Sequence, residues 1–222
     1  MQILPAIIPK SLKDLEKKLS QVRGLVSAVQ IDILDGKYTP EPSWPYNEGQ
    51  DEELLGICGG ENSLPFADEF FFEADLMIEN PDEKIEDFIC AGFDRIIVHL
   101  ESANNISIML EKAKDFGIEF GVAIGLDTDI EELEECIEKI DFVQFMGIDN
   151  IGFQGEKFNP EVLEKISTLR ELYPDITISV DGGVNLKNAV HLVSAGANRL
   201  AVGSAIFGSE DVGGVIAQFE NL

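Results

Sequence analysis

The sequence predicts an α/β fold, a (β/α)8 TIM barrel, on three observations. Short β-branched or aromatic runs alternate with charged amphipathic segments along the whole chain, which is the rhythm of βα units and a parallel sheet. Eight such runs can be counted. The chain has 222 residues, 45% of them hydrophobic, which suits one large domain with a substantial core, and barrels of this kind routinely reach that length undivided. Residues 1–222 are therefore expected to form a single domain.

The runs read as strands are residues 2–8, 25–34, 69–78, 95–100, 119–124, 142–148, 177–181 and 199–202. Helices fit between them at 12–23, 82–90, 105–116, 130–139, 160–172, 186–194 and 211–219. Asn or Asp ahead of these segments offers acceptors to the first free N–H groups, and Pro near a first turn has the right φ already. Gly92, Gly117 and Gly196 stand where helices should stop. The stretch 41–67 is different. Its three prolines, four glycines and weak periodicity beyond 52–57 predict a long irregular loop, either a lid over the barrel mouth or a plain surface excursion.

Forty-two acidic against sixteen basic residues leave a formal charge of −26. Such a field repels nucleic acid and anionic lipid, so neither is an expected partner. No apolar run approaches the length of a membrane span, and the first residues lack the basic, apolar and small-residue order of a leader, so a cytoplasmic protein is expected. Cys58, Cys90 and Cys136 are odd in number, widely spaced and without a C-x-x-C pair. Reduced, partly buried thiols are the expectation.

In a (β/α)8 barrel the chemistry belongs at the C-terminal strand ends and the loops after them. Alternation along the second strand puts Gln30, Asp32 and Leu34 on one face and Val29, Ile31 and Ile33 on the other. A carboxylate inside such a strand is costly unless something pairs with it. The third strand carries Glu73, Asp75 and Met77 on one face, and the seventh carries Thr177, Ser179 and Asp181. Asp32, Asp75 and Asp181 should thus meet at one rim. Strands two and seven are separated by one and eight, so Asp32 and Asp181 face each other across the mouth. Inverting a carbon beside a carbonyl needs this arrangement, one group removing the proton and the other returning it to the opposite face. The enediolate between those steps needs a cation or positioned donors.

The last two strand ends carry glycine backbone before short helices, at Gly182, Gly183, Gly203 and Ser204. Exposed N–H groups there cradle phosphate without Lys or Arg, which suits so acidic a chain. The loop after the sixth strand, with Gly152, Phe153, Gln154 and Gly155, is a candidate to close over the same phosphate. Ala6, Leu34, Met77 and Met146 are expected in the substrate pocket. The expected ligand is a small molecule that carries a phosphate. His99, at the end of the fourth strand, and His191, in a helix, are read as structural.

These residues resemble the ribulose-phosphate 3-epimerase family along nearly the whole chain. Ile31-Asp32-Ile33-Leu34-Asp35-Gly36 with Pro40 is similar to the family's H-V-D-V-M-D-G-x-x-x-P, and residues 75–81 to its H-L-M-I-x-x-P. Ala91-Gly92 with Val98-His99-Leu100-Glu101 matches A-G-A and V-H-x-E. Residues 152–158 resemble G-F-G-G-Q-x-F, and 180–185 and 203–207 resemble V-D-G-G-V-N and G-S-A-I-F.

The resemblance implies a barrel of the ribulose-phosphate-binding type whose ligand is a small phosphorylated sugar and that epimerises C3 of ribulose 5-phosphate or xylulose 5-phosphate, with Asp32 and Asp181 as the catalytic pair. The family holds a divalent metal on two His and these two Asp. Here Gln30 and Asp75 stand at the His positions, Ala6 replaces an early Ser, and Gln154 enters the G-F-G-G loop. Two readings of the metal follow. Gln30, Asp32, Asp75 and Asp181 form an all-oxygen set that shifts preference from Zn2+ to Mg2+ or Mn2+. Otherwise no metal binds, and at least one acid must then have a raised pKa or keep apart from the others. Two alternatives to an epimerase are a non-catalytic phosphosugar-binding barrel and a lyase or aldolase of the same superfamily. The decarboxylases among the latter are expected to carry Asp-x-Lys-x-x-Asp, and no lysine follows Asp32 here. The sequence is compatible with a homo-oligomer.

Overall fold

The computed structural model describes residues 1–222. Its elements run β1 (Gln2–Ile7), α1 (Leu12–Val22), β2 (Ala28–Leu34), α2 (Asp51–Cys58), β3 (Phe71–Met77), α3 (Ile85–Cys90), β4 (Arg95–His99) and α4 (Ile106–Phe116). They continue with β5 (Glu119–Ile124), β6 (Phe142–Met146), α5 (Val162–Leu172), β7 (Thr177–Asp181), α6 (Leu186–Ala195), β8 (Arg199–Val202), α7 (Ser204–Phe207) and α8 (Val212–Glu220). The eight parallel strands pair in chain order, and β8 returns to β1 to close a barrel. No helix is long and apolar enough to cross a membrane.

The two-residue period of the strands separates two environments. Outward residues such as Val29, Ile31, Ile33, Phe72, Leu76, Ile178 and Val180 join the helices in one core of 51 buried residues. Inward residues stack in tiers. At the base, the Arg95 guanidinium donates to Glu73 Oε2 at 2.8 Å and to Glu119 Oε2 at 2.7 Å, and Arg199 reaches Glu119 at 3.3 Å. Above this, Ile97, Ala123 and Phe142 pack together. A Cβ on Gly121 would lie 2.3 Å from the Phe142 ring, so only glycine leaves room for that plug. The mouth above carries the acids.

Two expectations are corrected. Within 41–67 the chain forms helix α2, because Asp51, Glu52 and Glu53 in its first turn suit the positive helix end while Leu54 and Ile57 share one buried face. Ahead of that helix the stretch is anchored. Trp44 is fully buried, its backbone N–H donates to Pro9 O at 2.8 Å, and its indole N–H donates to Glu53 at 2.9 Å. The helix expected at 130–139 is instead a 3-10 turn, Ile130–Leu133, followed by further turns. The glutamates at 131, 132, 134, 135 and 138 repel one another at three- and four-residue spacings, which disfavours a regular α-helix there.

Candidate active site

The inward parity of β2, β3 and β7 brings Gln30, Asp32, Asp75 and Asp181 together at the barrel mouth, with Asp32 and Asp75 side by side in register. Gln30 and Asp75 are fully buried, Asp32 is 4% exposed, and Asp181 is partly exposed at the rim. One amide organises the acid pair: Gln30 Nε2 donates at 2.8 Å to Asp32 Oδ1 and at 2.8 Å to Asp181 Oδ2. Asp181 Oδ1 also accepts from the Gly182 N–H at 2.6 Å. Asp75 is held separately. His99 Nε2 lies 3.0 Å from its Oδ1, Gln144 Nε2 donates to its Oδ2 at 2.8 Å, and Ser179 Oγ donates to Gln144 Oε1 at 3.1 Å.

These surroundings set the charges. Burial, with the Asp181 and Asp75 charges next in size, raises the Asp32 carboxyl well above its ordinary range despite the Gln30 bond. Burial and the Asp75 charge push Asp181 up to about 7. Burial pulls the His99 imidazole down, but the charge and hydrogen bond of Asp75 outweigh it and hold the pKa above its ordinary value. The Asp32 and Asp181 pair thus retains a proton near neutrality.

One oxygen from each of Asp32, Asp75 and Asp181 lies within 4.8 Å of the others. Three carboxylates that converge and repel one another fit a hard divalent cation in charge and donor type. Gln30 Oε1 is a buried acceptor with no partner, and it would join them as a fourth oxygen once the amide, whose nitrogen now faces Asp32 and Asp181, turns over.

Beside the acids, one cavity is lined by most of the remaining predicted residues. These are Ala6, Met77 and Met146, the loop Gly152, Phe153, Gln154 and Gly155, and the strand ends Gly182, Gly183, Gly203 and Ser204. No lysine or arginine lines it. Gly183 has φ +65°, and a Cβ there would lie 2.8 Å from the Phe158 backbone, so the β7 turn and the β6 loop pack too closely for any side chain. Gly203 and Ser204 open α7, whose first N–H groups lack intrahelical acceptors. Gln154 reaches into this space, donating through Nε2 to Ala6 O at 3.3 Å. Leu34 lies elsewhere. It is buried and lines the adjoining groove with Lys10, Lys18 and Pro42, its Cδ2 facing Gly152.

Sequence reasoning did not single out Gln144, whose only signal is a polar residue between Val143 and Phe145 at inward parity. It also read His99 as structural. That histidine is hydrogen-bonded as expected, but its partner is one of the three acids. Tyr38, from the β2 loop, lies over the His99 ring with centroids 5.5 Å apart. A tyrosine in a turn gave no sign of this position.

The model of the ribulose-phosphate 3 epimerase family matches residues 2–207. A ribulose-phosphate 3-epimerase of Aquifex aeolicus is 33% identical over 201 residues, 89% of this chain and 85% of that protein. One of Bacillus subtilis is 30% identical over 217 residues, 95% of this chain and 94% of that protein. Among solved structures, a 3-hexulose-6-phosphate synthase superposes with a TM-score of 0.72 at 20% identity over 100% of this chain and 99% of that one, a likeness of fold.

Proposed function

Because the chain belongs to the ribulose-phosphate 3-epimerase family, we propose that it interconverts ribulose 5-phosphate and xylulose 5-phosphate by moving a proton between C3 and two facing carboxyls, Asp32 and Asp181. The observation that carries the assignment of the pair is the shared Gln30 amide, 2.8 Å from each, which puts both acids on either side of one point. A two-base inversion requires one carboxyl ionised and the other protonated at the same moment. A pair that keeps one proton near neutrality supplies that state.

In the forward direction the ionised member removes the C3 proton from one face, and the electron pair moves into the C2 carbonyl to give an enediolate. The protonated member then delivers its proton to the other face of C3, and the two acids have exchanged states. The reverse reaction uses the same groups with their parts reversed. Asp75, hydrogen-bonded on one oxygen to His99 and on the other to Gln144, keeps its place beside the pair, and its charge favours the proton's retention there. The phosphate rests on the backbone of Gly182, Gly183, Gly203 and Ser204, with Gly152, Phe153, Gln154 and Gly155 closing over it and Met77 and Met146 lining the sugar's apolar side. Leu34 backs the loop at Gly152. Asp32, Asp75 and Asp181, with Gln30 as a further oxygen, would hold a divalent cation, Mg2+ or Mn2+ in preference to Zn2+, which when bound polarises the carbonyl and steadies the enediolate.

The test is incubation of the protein with ribulose 5-phosphate in D2O, with and without Mn2+, reading xylulose 5-phosphate and deuterium at C3. Both should accumulate, and Asp32→Asn or Asp181→Asn should abolish both. Absence of exchange under every metal condition would overturn the reading. A cavity without lysine speaks against a lyase with a cationic base.

A further inference from the structure

The cysteines that look unrelated in sequence meet in space. Cys58 ends α2 and Cys90 ends α3, and these two helices pack side by side around the barrel. Each thiol donates to a carbonyl in the last turn of the other's helix: Cys58 Sγ to Asp87 O at 3.0 Å and Cys90 Sγ to Cys58 O at 3.4 Å. The second of these bonds puts the two cysteines in direct contact across the helix ends. Cys90 is exposed and Cys58 is partly covered, whereas Cys136 is buried in a different part of the chain.

We propose that Cys58 and Cys90 form an oxidisable dithiol, a modification site that takes a small uncharged disulfide as its oxidant and closes a bond between the C-terminal ends of α2 and α3. The exposed Cys90 thiolate attacks one sulfur of the reagent, forming a mixed disulfide and expelling the first thiolate. Cys58 then loses its proton and attacks the Cys90 sulfur, expelling the second. Two protein thiols are oxidised, one reagent disulfide is reduced, and the two protons end on the departing thiols. Burial and the neighbouring Cys90 push the Cys58 thiol up to about 12. The second step is therefore the slow one and quickens as pH rises. The formal charge of −26, with Asp87 adjacent, keeps anionic disulfides away and makes an uncharged reagent the better partner.

The experiment treats the native protein with 2-hydroxyethyl disulfide and then counts free thiols after unfolding, with peptide mapping. The three free thiols should fall to one, Cys136, with a linked Cys58 and Cys90 peptide pair and no retained reagent. The linked residues lie 32 apart, so the bond should raise Tm by something on the order of 10 °C at the chain-entropy limit, reversibly on reduction. In Cys58→Ser the reaction should halt with one reagent unit on Cys90, and at higher pH the wild-type linkage should form faster. Three free thiols after prolonged treatment, a stable mixed disulfide on wild-type Cys90, or linkage only between molecules would each overturn the proposal.

Discussion

Asp181→Asn should abolish turnover and at the same time make the cation-free protein more stable at alkaline pH. The Asp181 carboxyl moves from an ordinary 3.8 to about 7 in the folded chain, so holding it ionised costs the fold ~4 kcal/mol, at ~1.4 kcal/mol per pH unit. Below pH 3.8 it is protonated folded and unfolded, and no penalty exists. From there to about 7 the unfolded chain ionises while the fold keeps its proton, so stability falls as pH rises, and above about 7 the loss is complete. Asparagine has the same shape and never ionises. Its Oδ1 can keep the Gly182 N–H, and its amide can donate to Gln30 Oε1, which has no partner now, once the Gln30 amide turns over. In chelator, the variant and the wild type should therefore melt together near pH 4 and diverge to on the order of 10 °C in favour of the variant at pH 8, at ~2–4 °C per kcal/mol for a chain of this size. Deuterium exchange at C3 should fall by roughly 10²–10⁴. A melting difference that does not change with pH, or a variant less stable than wild type at pH 8, would refute the charge assignment of the pair.

The other predictions concern the neighbouring parts of the mouth and the barrel wall. Gln154→Ala removes the side chain that reaches Ala6 O and Gly203; steady-state kinetics should show KM up by roughly tenfold with kcat within about twofold, the pattern of lost uniform binding. Gly121→Ala drives a methyl into the Phe142 ring and should lower stability in denaturant melts by ~1–3 kcal/mol, with exchange per folded molecule unchanged. Gln30→His combined with Asp75→His exchanges two oxygen donors for imidazoles, and chelator competition should show Zn2+ gaining at least about tenfold over Mn2+ relative to wild type.

The barrel was legible because period-two alternation survives in nearly every strand, and each outward Val, Ile or Phe is buried against a helix as its parity requires. The acid pair was legible for the same reason: Asp32 and Asp181 are charges at inward parity in apolar strands, with β8 and β1 between them. What escaped was the pair of residues that hold Asp75. Gln144 and His99 hold Asp75 from β6 and β4, and no spacing along the chain encodes that meeting. The 3-10 turn at 130–133 escaped because three-residue and four-residue spacing of apolar residues look alike over so short a stretch. Helix α2 escaped because its glycines and prolines outweighed one short apolar face.

The two ends of the barrel interior differ in how their charges are balanced, and that difference locates the chemistry. At the base, Glu73 and Glu119 meet Arg95 and Arg199, two of each sign, with Arg95 bonded to both glutamates. Arg95 and Glu73 are the buried pair of this set, with Glu119 partly exposed, and removing one partner of a buried pair costs about 3–5 kcal/mol because it strands a charge. At the mouth, three carboxyls converge with neutral amides and a single histidine for company. Amide donors satisfy hydrogen-bonding needs but carry no net charge, so the excess must be met by protons, by a cation, or by a ligand that accepts a proton's movement. A barrel that only bound a phosphosugar would gain nothing from this imbalance, since the phosphate site is built from glycine backbone and anionic neighbours weaken it. Retaining three acids against that penalty is consistent with proton transfer as the site's work.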